Sequence, residues 1–127
     1  MVVGESDSAE IYAKSFLHAV TWANAAASPQ ALPVPKGSLG YSYATSINSS
    51  GDIVGGLGIT LDKYNAGVLT QTNGVIWKNG QVKDLNSLIP PDSTLTLGPA
   101  TTITDQGLIL GTISINGTKA QYILIPK

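Results

Sequence analysis

The sequence predicts an all-β, antiparallel domain built from tandem copies of one strand unit, and three observations predict it. First, the chain aligns with itself at a constant offset of 56 residues, which sets Ala44, Ile47, Gly51, Ile53, Val54 and Gly55 on Ala100, Ile103, Gly107, Ile109, Leu110 and Gly111. Self-similarity at a period of tens of residues is the mark of repeat architectures. Second, Asn79-Gly80 and Asn116-Gly117 each lie between two strand-like runs, and Asn-Gly accepts the positive φ angles of a two-residue hairpin. Third, Gly51 and Gly107 follow the short polar turns "NSS" and "TDQ". A type I turn followed by a left-handed glycine closes a hairpin with a bulge there.

Taken in order, a unit holds a strand ending in Ile-Asn or Ile-Thr, a strand with a hydrophobic-Gly element, a strand ending in Trp, and a strand around a Leu. Val2-Val3-Gly4 is a further copy of the hydrophobic-Gly element. "HAVTW" at His18 to Trp22 matches "NGVIW" at Asn73 to Trp77 at an offset of 55, and "AQYILIP" from Ala120 is a third version. "ALPV" at Ala31 to Val34 pairs with "VKDLN" at Val82 to Asn86. These landmarks divide a single domain into a partial unit at about 1–40, a unit at about 41–96 and a partial unit at about 97–127.

One segment argues back. Residues 6–29 are Ala-rich, open with N-cap candidates at Ser6 or Ser8 and stop at Ser28-Pro29, which local propensity reads as a helix. The match to "NGVIW" favours a strand from about Phe16 to Trp22 instead, with Ser8 to Lys14 a loop or one helical turn. About two and a half units are present, whereas repeat arrays need three or more to cover each apolar face. The expectation is therefore an N-terminal truncation, a ring completed by further copies, or pairing of the first and last partial units through open strand edges.

Composition narrows the partners. The 127 residues carry a net charge of -1, with seven lysines and no arginine. Such a chain has no electrostatic footprint for nucleic acid and lacks the residue best suited to bidentate phosphate recognition. With no cysteine, disulfides and thiolate metal sites are excluded. No apolar run approaches the length of a membrane span.

The succession "SYATSINSSGDIVGG", then "GVIWKNGQVKDLNSLIPPDSTLTLGPATTITDQGLILGT", then "NGTKAQYILIP" resembles the HAF-repeat family of bacterial extracellular repeat proteins. Ala44, Ile47, Asn48, Gly51, Ile53, Val54 and Gly55 match the first half of that pattern, and His18, Ala19, Trp22, Trp77, Asn79, Gly80 and Leu85 match the second. The departures are Asn73 where the first copy has His18, and Thr104 where Asn follows Ile103 in the pattern. The resemblance implies a propeller-like arrangement of β-blades at a secreted or surface location. It implies no catalytic activity.

The candidate site residues are few. His18 is the single histidine, so a hydrolase in this chain would have to centre on it. Glu5, Asp7 and Glu10 form an acidic segment that reads either as a solvated loop or as a calcium site, without the ligand spacing of a known calcium loop. Asp52 and Asp105 flank the glycine turns, where turn chemistry accounts for them. Trp22 and Trp77 stand at equivalent positions and either pack in the core or stack on a sugar face. Tyr41, Tyr43, Tyr64 and Tyr122 fall outside the repeat register, and the glycosylation patterns at Asn48 and Asn116 read as turns. Ile47, Gly51, Ile53, Gly55, Ile103, Gly107, Ile109 and Gly111 carry the repeat and serve folding. The expected role is a non-catalytic scaffold or recognition surface for a protein or glycan, without a cofactor. The alternatives are a lectin-like blade surface and, behind it, the hydrolase.

Overall fold

A computed structural model describes residues 2–7, 17–22, 30–35, 41–61, 69–90, 95–115 and 117–126. They form three antiparallel sheets. The first is β1 (Val2–Asp7), β2 (Leu17–Trp22) and β3 (Gln30–Ala31). The second orders β4 (Ser42–Ile47), β5 (Ile53–Leu61), β6 (Leu69–Lys78) and β7 (Gln81–Asp84), and is followed by a 3-10 turn at Leu85–Leu88. The third is β8 (Leu97–Ile103), β9 (Ile109–Ile115) and β10 (Thr118–Leu124). Among the described residues no sheet closes on itself, and no helix is long and apolar enough to cross a membrane.

Pairing overrides propensity in β2. Its Ala-rich surroundings favour helix, yet Val20 is paired to Gly4 of β1 on one side and to Ala31 of β3 on the other. Residues 8–16 and 23–29, on which the rest of the helix-or-strand question falls, lie outside the described residues.

The central hairpins share one register. Val2 is opposite Trp22 and Gly4 opposite Val20 in the first sheet. In the second, Ile53 is opposite Trp77 and Gly55 opposite Val75. In the third, Ile109 is opposite Leu124 and Gly111 opposite Tyr122. The sequence matches at the hydrophobic-Gly element and at the Trp thus coincide with one pattern of pairing.

The middle sheet is buried on both faces along its two central strands, at 53–58 of β5 and 73–77 of β6. Strand side chains alternate between faces, so Ile53, Leu57, Val75 and Trp77 pack toward the first sheet with Ala19, Val3 and Leu32. Val54 and Ile76 turn the other way, onto Leu97, Ala100, Ile103, Ile109, Ile113 and Tyr122 of the third sheet. A strand covered on both sides reads as a continuous apolar run, which is why Val75-Ile76-Trp77 has no polar interruption. Burying one such Val, Leu or Ile stabilises by about 1.5–3 kcal/mol.

The turns follow the glycines. Asn79 and Gly80 both take positive φ, 53° and 73°. Gly51 and Gly107 sit at φ 84° and 87°, and the two turns repeat the same backbone bonds. In the first, Gly51 N–H donates to Asn48 O and Asn48 N–H to Asp52 O; in the second, Gly107 N–H donates to Thr104 O and Thr104 N–H to Leu108 O. This is a type I turn with a left-handed glycine bulge. Asn116, the first residue of the other Asn-Gly pair, lies outside the described residues.

Gly51 and Gly55 are required for different reasons. A Cβ on Gly51 would meet nothing within 4 Å, so its constraint is φ alone. A Cβ on Gly55 would overlap the Tyr43 carbonyl oxygen of the neighbouring strand. Gly51→Ala is expected to cost about 1 kcal/mol of left-handed strain, and Gly55→Ala about 3 kcal/mol or more, because backbone cannot yield as a side chain does. Urea denaturation of the two variants gives both values and their order.

Candidate functional site

Among the described residues, most of the polar side chains that bond between sheets lie where the second sheet meets the third, while Ser42 accepts from Ala19 N–H across the other junction. β4 loses its register with β5 between Ala44 and Ser46, and a bulge of this kind re-aims the side chain at the irregularity. That side chain is Thr45. Its hydroxyl lies 2.8 Å from the Ala100 carbonyl and 3.2 Å from the Val54 carbonyl, and a hydroxyl has one proton, best placed on the nearer oxygen. Next to it, Ser46 Oγ accepts from Ile103 N–H at 3.1 Å.

Asn48 closes the junction. Its Oδ1 accepts from the backbone N–H groups of Ser50 (3.1 Å) and Asp52 (2.9 Å), which fixes its own turn. Its Nδ2 reaches the Thr104 carbonyl at 3.1 Å and Asp52 Oδ2 at 3.4 Å. Both lone-pair sites and both N–H groups of the amide are engaged, which a buried Asn requires. One residue on, Ser49 N–H donates to Asp105 Oδ1 at 2.8 Å. That bond holds the Asp105 carboxyl below its ordinary value. The partners of Asn48 and Ser49 are 56 residues away, the offset of the sequence match.

A second polar hub braces the same junction from the far end of the sheet. Asp84 caps the 3-10 turn, its Oδ1 accepting from the N–H and Nδ2 of Asn86 and its Oδ2 from Asn73 Nδ2. Asn86 then crosses to β8, accepting from Leu97 N–H at 2.7 Å and donating to Leu97 O at 3.1 Å. Tyr122 donates to the Gly98 carbonyl at 2.8 Å. Burial, with the Asp84 and Tyr43 charges adding to it, pushes the Tyr122 hydroxyl up to about 12.

Between the two glycine turns lies a cleft of about 770 Å³. Its floor is apolar, from Ile76, Ile103 and Ile109, and its walls carry both signs of charge, with Lys78 and Lys83 facing Asp52 and Asp105. Lys78 and Asp52 form an ion pair at 3.6 Å. Lys78 is largely exposed, so water and salt leave this pair little weight. Carboxylates, ammonium groups and amides above an apolar floor can hold a polar ligand by hydrogen bonds. Among the described residues no three His, Cys, Asp or Glu side chains converge as metal ligands do.

The residues singled out from the sequence fall into different places. Trp77 is buried to 3% exposure, packs in the core beneath the first sheet, and donates its Nε1–H to the Pro33 carbonyl at 2.6 Å. Trp22 is half-buried over Gly4. His18 lies in β2 opposite Ser6, and its imidazole is outside the described residues. Glu5 and Asp7 belong to strand β1 rather than to a loop, while Glu10 lies outside the described residues. Tyr41 and Tyr43 meet edge to face with centroids 6.4 Å apart, and Tyr64 is outside the described residues. Ile53, Ile103 and Ile109 are buried and Ile47 packs against the same core as Ile53. Gly111 stands where a Cβ would overlap the Tyr122 ring.

Two readings of the sequence change here. Asp105 does more than shape its own turn, because its carboxylate accepts from the turn of the neighbouring sheet. The cross-sheet roles of Thr45, Ser46, Asn48 and Asn86 do not emerge from the sequence reading. For Thr45 a signal is present: Thr101 stands at the same offset of 56.

Compared with known proteins, the chain matches no family model, no curated protein and no solved structure.

Asn48→Ala strands the Ser50 and Asp52 N–H groups and the Thr104 carbonyl together, and is expected to destabilise the chain by about 2–3 kcal/mol in equilibrium unfolding. Asp105 has a distinct signature in pH. Its folded value is depressed, so its contribution is complete above the unfolded carboxylate value of about 3.9 and is lost as pH falls through the lower folded value. Thermal melts of Asp105→Asn across that acid range should lack this component of the wild-type decline.

Proposed function

We propose that the chain is part of a bacterial extracellular protein of the HAF-repeat type, its three sheets acting as blades of a propeller-like array with a non-catalytic role as scaffold or recognition surface. One observation carries this reading: at the glycine turns, two of the bonds that join the second sheet to the third, Asn48 to Thr104 and Ser49 to Asp105, link residues separated by the period of the sequence match. Units that bond to their own equivalents in the next unit form a stack in which each needs its neighbour. The shared register of the three hairpins supports the same reading. Secretion and the bacterial source rest on the resemblance.

In this reading the cleft between the glycine turns is the surface offered to a ligand. Its mixed charge and apolar floor suit a polar chain with apolar groups, from a protein or a glycan. A lectin-like reading has its own observation in Trp22, whose ring lies beside Gly4 and keeps part of its surface exposed, since an accessible aromatic ring can stack on a sugar face. The hydrolase reading rests on His18 alone.

Tryptophan fluorescence separates these. Trp77 is enclosed and hydrogen-bonded, so a ligand-induced change in emission would report on Trp22. The scaffold reading expects no saturable change on titration with a panel of polysaccharides. A saturable change that Trp22→Ala abolishes would replace it with the lectin-like reading.

A further inference from the structure

We propose that Asn79 is a site of spontaneous covalent modification: in the folded chain its side chain cyclises onto the Gly80 amide, releases ammonia and opens to a carboxylate on the wall of the cleft between the glycine turns. The inference is independent of what the cleft binds.

The reaction joins two atoms that are close in any Asn-Gly pair. The Gly80 backbone nitrogen, having lost its proton to a base in solvent, attacks Asn79 Cγ. The bond from Cγ to Nδ2 breaks, and Nδ2 takes up a proton and leaves as ammonia. Water then opens the resulting cyclic imide at either of its carbonyls, giving aspartate in one case and isoaspartate in the other. Water is the sole co-reactant. The fold governs the rate through the access of water, the space for the imide ring and the freedom of the amide that departs.

Asn79 meets these conditions. With Gly80 it forms the centre of the β6–β7 hairpin, whose ladder ends at Lys78 opposite Gln81, so the N–H between the two central residues lies outside the ladder. Both residues are exposed. A Cβ on Gly80 would meet nothing within 4 Å, so the space beside the attacking nitrogen is open. Among the described residues the Asn79 side chain has no hydrogen-bond partner to hold its amide.

Asn73-Gly74 is the same dipeptide in an opposite setting. It lies inside β6, with Asn73 opposite Leu57 and Gly74 opposite Gly56. Asn73 is 7% exposed, and Nδ2, the group that would have to leave, donates to Asp84 Oδ2 at 2.8 Å. A Cβ on Gly74 would crowd the Gly98 carbonyl, the Leu85 side chain and the Tyr122 hydroxyl, which leaves neither ring nor water any room. The sequence presents the two pairs as equals, and the fold separates them.

Conversion changes the cleft that Asn79 lines. Lys78 and Lys83 stand there with Asp52 and Asp105, and Lys78 pairs with Asp52 at 3.6 Å. A carboxylate at position 79 adds an acid beside Lys78 and leaves the cleft with an excess of negative charge. Isoaspartate further lengthens the backbone of a two-residue loop, and loop length sets the register of a hairpin. The pairing of Lys78 with Gln81 is the first to loosen.

Tryptic peptide mapping tests this, because cleavage after Lys63, Lys78 and Lys83 puts Asn73 and Asn79 in separate peptides. The chain is incubated in mildly alkaline buffer, folded in one arm and unfolded by urea in the other. Mass spectrometry scores each Asn for replacement of its amide NH2 by OH, and fragment ions tell isoaspartate from aspartate. In the folded arm Asn79 is expected to convert within about tenfold of its rate in urea, since an exposed turn opens at little cost. Asn73 is expected to slow by about 100-fold or more, because reaching it takes sub-global or global unfolding. Folding that slows Asn79 beyond that tenfold range, or that leaves Asn73 as reactive as Asn79, would overturn the proposal.

Discussion

Between Thr45 and Ser49 every residue but Ile47 gives or receives a hydrogen bond across to β8 or to the turn that follows it. Apolar contact between Val54, Ile76 and the rear face of the third sheet supplies most of the attraction at this junction, but such contact is non-directional. Two sheets held by it alone are free to slide and rotate against each other. The hydrogen bonds remove that freedom, since each demands a partner at about 3 Å in a narrow range of directions. Asn48 is the strictest of them, because its amide is engaged at all four positions and any displacement of the sheets leaves a buried polar group unpaired.

The remaining architecture depends on that fixed junction. At Ile53–Gly58 and Asn73–Trp77 the middle sheet has no solvent face, so its side chains there must satisfy two neighbours at once, Ile53 and Trp77 on one side and Val54 and Ile76 on the other. The bulge in β4 exists in the same frame: it spoils one position of the ladder and in exchange directs Thr45 at Ala100. Asp84 and Asn86 hold the opposite end, so the third sheet is anchored at both ends of β8, at Leu97 and at Ile103. The cleft between the turns is a by-product of this anchoring, and its walls are fixed where the anchors are.

How far the sequence exposes this varies with the kind of interaction. Left-handed conformations at Gly51, Gly80 and Gly107 are legible, because few residues adopt them and glycine does so without strain. The strand at His18–Trp22 is legible only against the grain of its composition, through its match to Asn73–Trp77. The cross-sheet bonds are far less so. Most of them end on backbone groups, at Ala100, Ile103 and Thr104, and every residue has a backbone, so the acceptor leaves no mark in the sequence. Asn48 is further disguised by Thr104, which shares its position in the turn but takes up only the local half of its work, accepting from Leu108 N–H. Trp77 illustrates the same limit, since nothing in its surroundings in the chain points to Pro33 as its partner.

The second and third sheets behave as one cooperative unit if the bonds between their turns hold them together. Native-state hydrogen exchange in low denaturant tests this most directly, by comparing amides of β5 with amides of β9 and with the N–H of Ile103, whose acceptor is Ser46 Oγ. With the turns bonded to each other, all three open with the same free energy, that of global unfolding. If β9 and Ile103 instead exchange through a cheaper opening that leaves the β5 amides protected, the sheets are joined by apolar contact alone and the cooperative junction is contradicted.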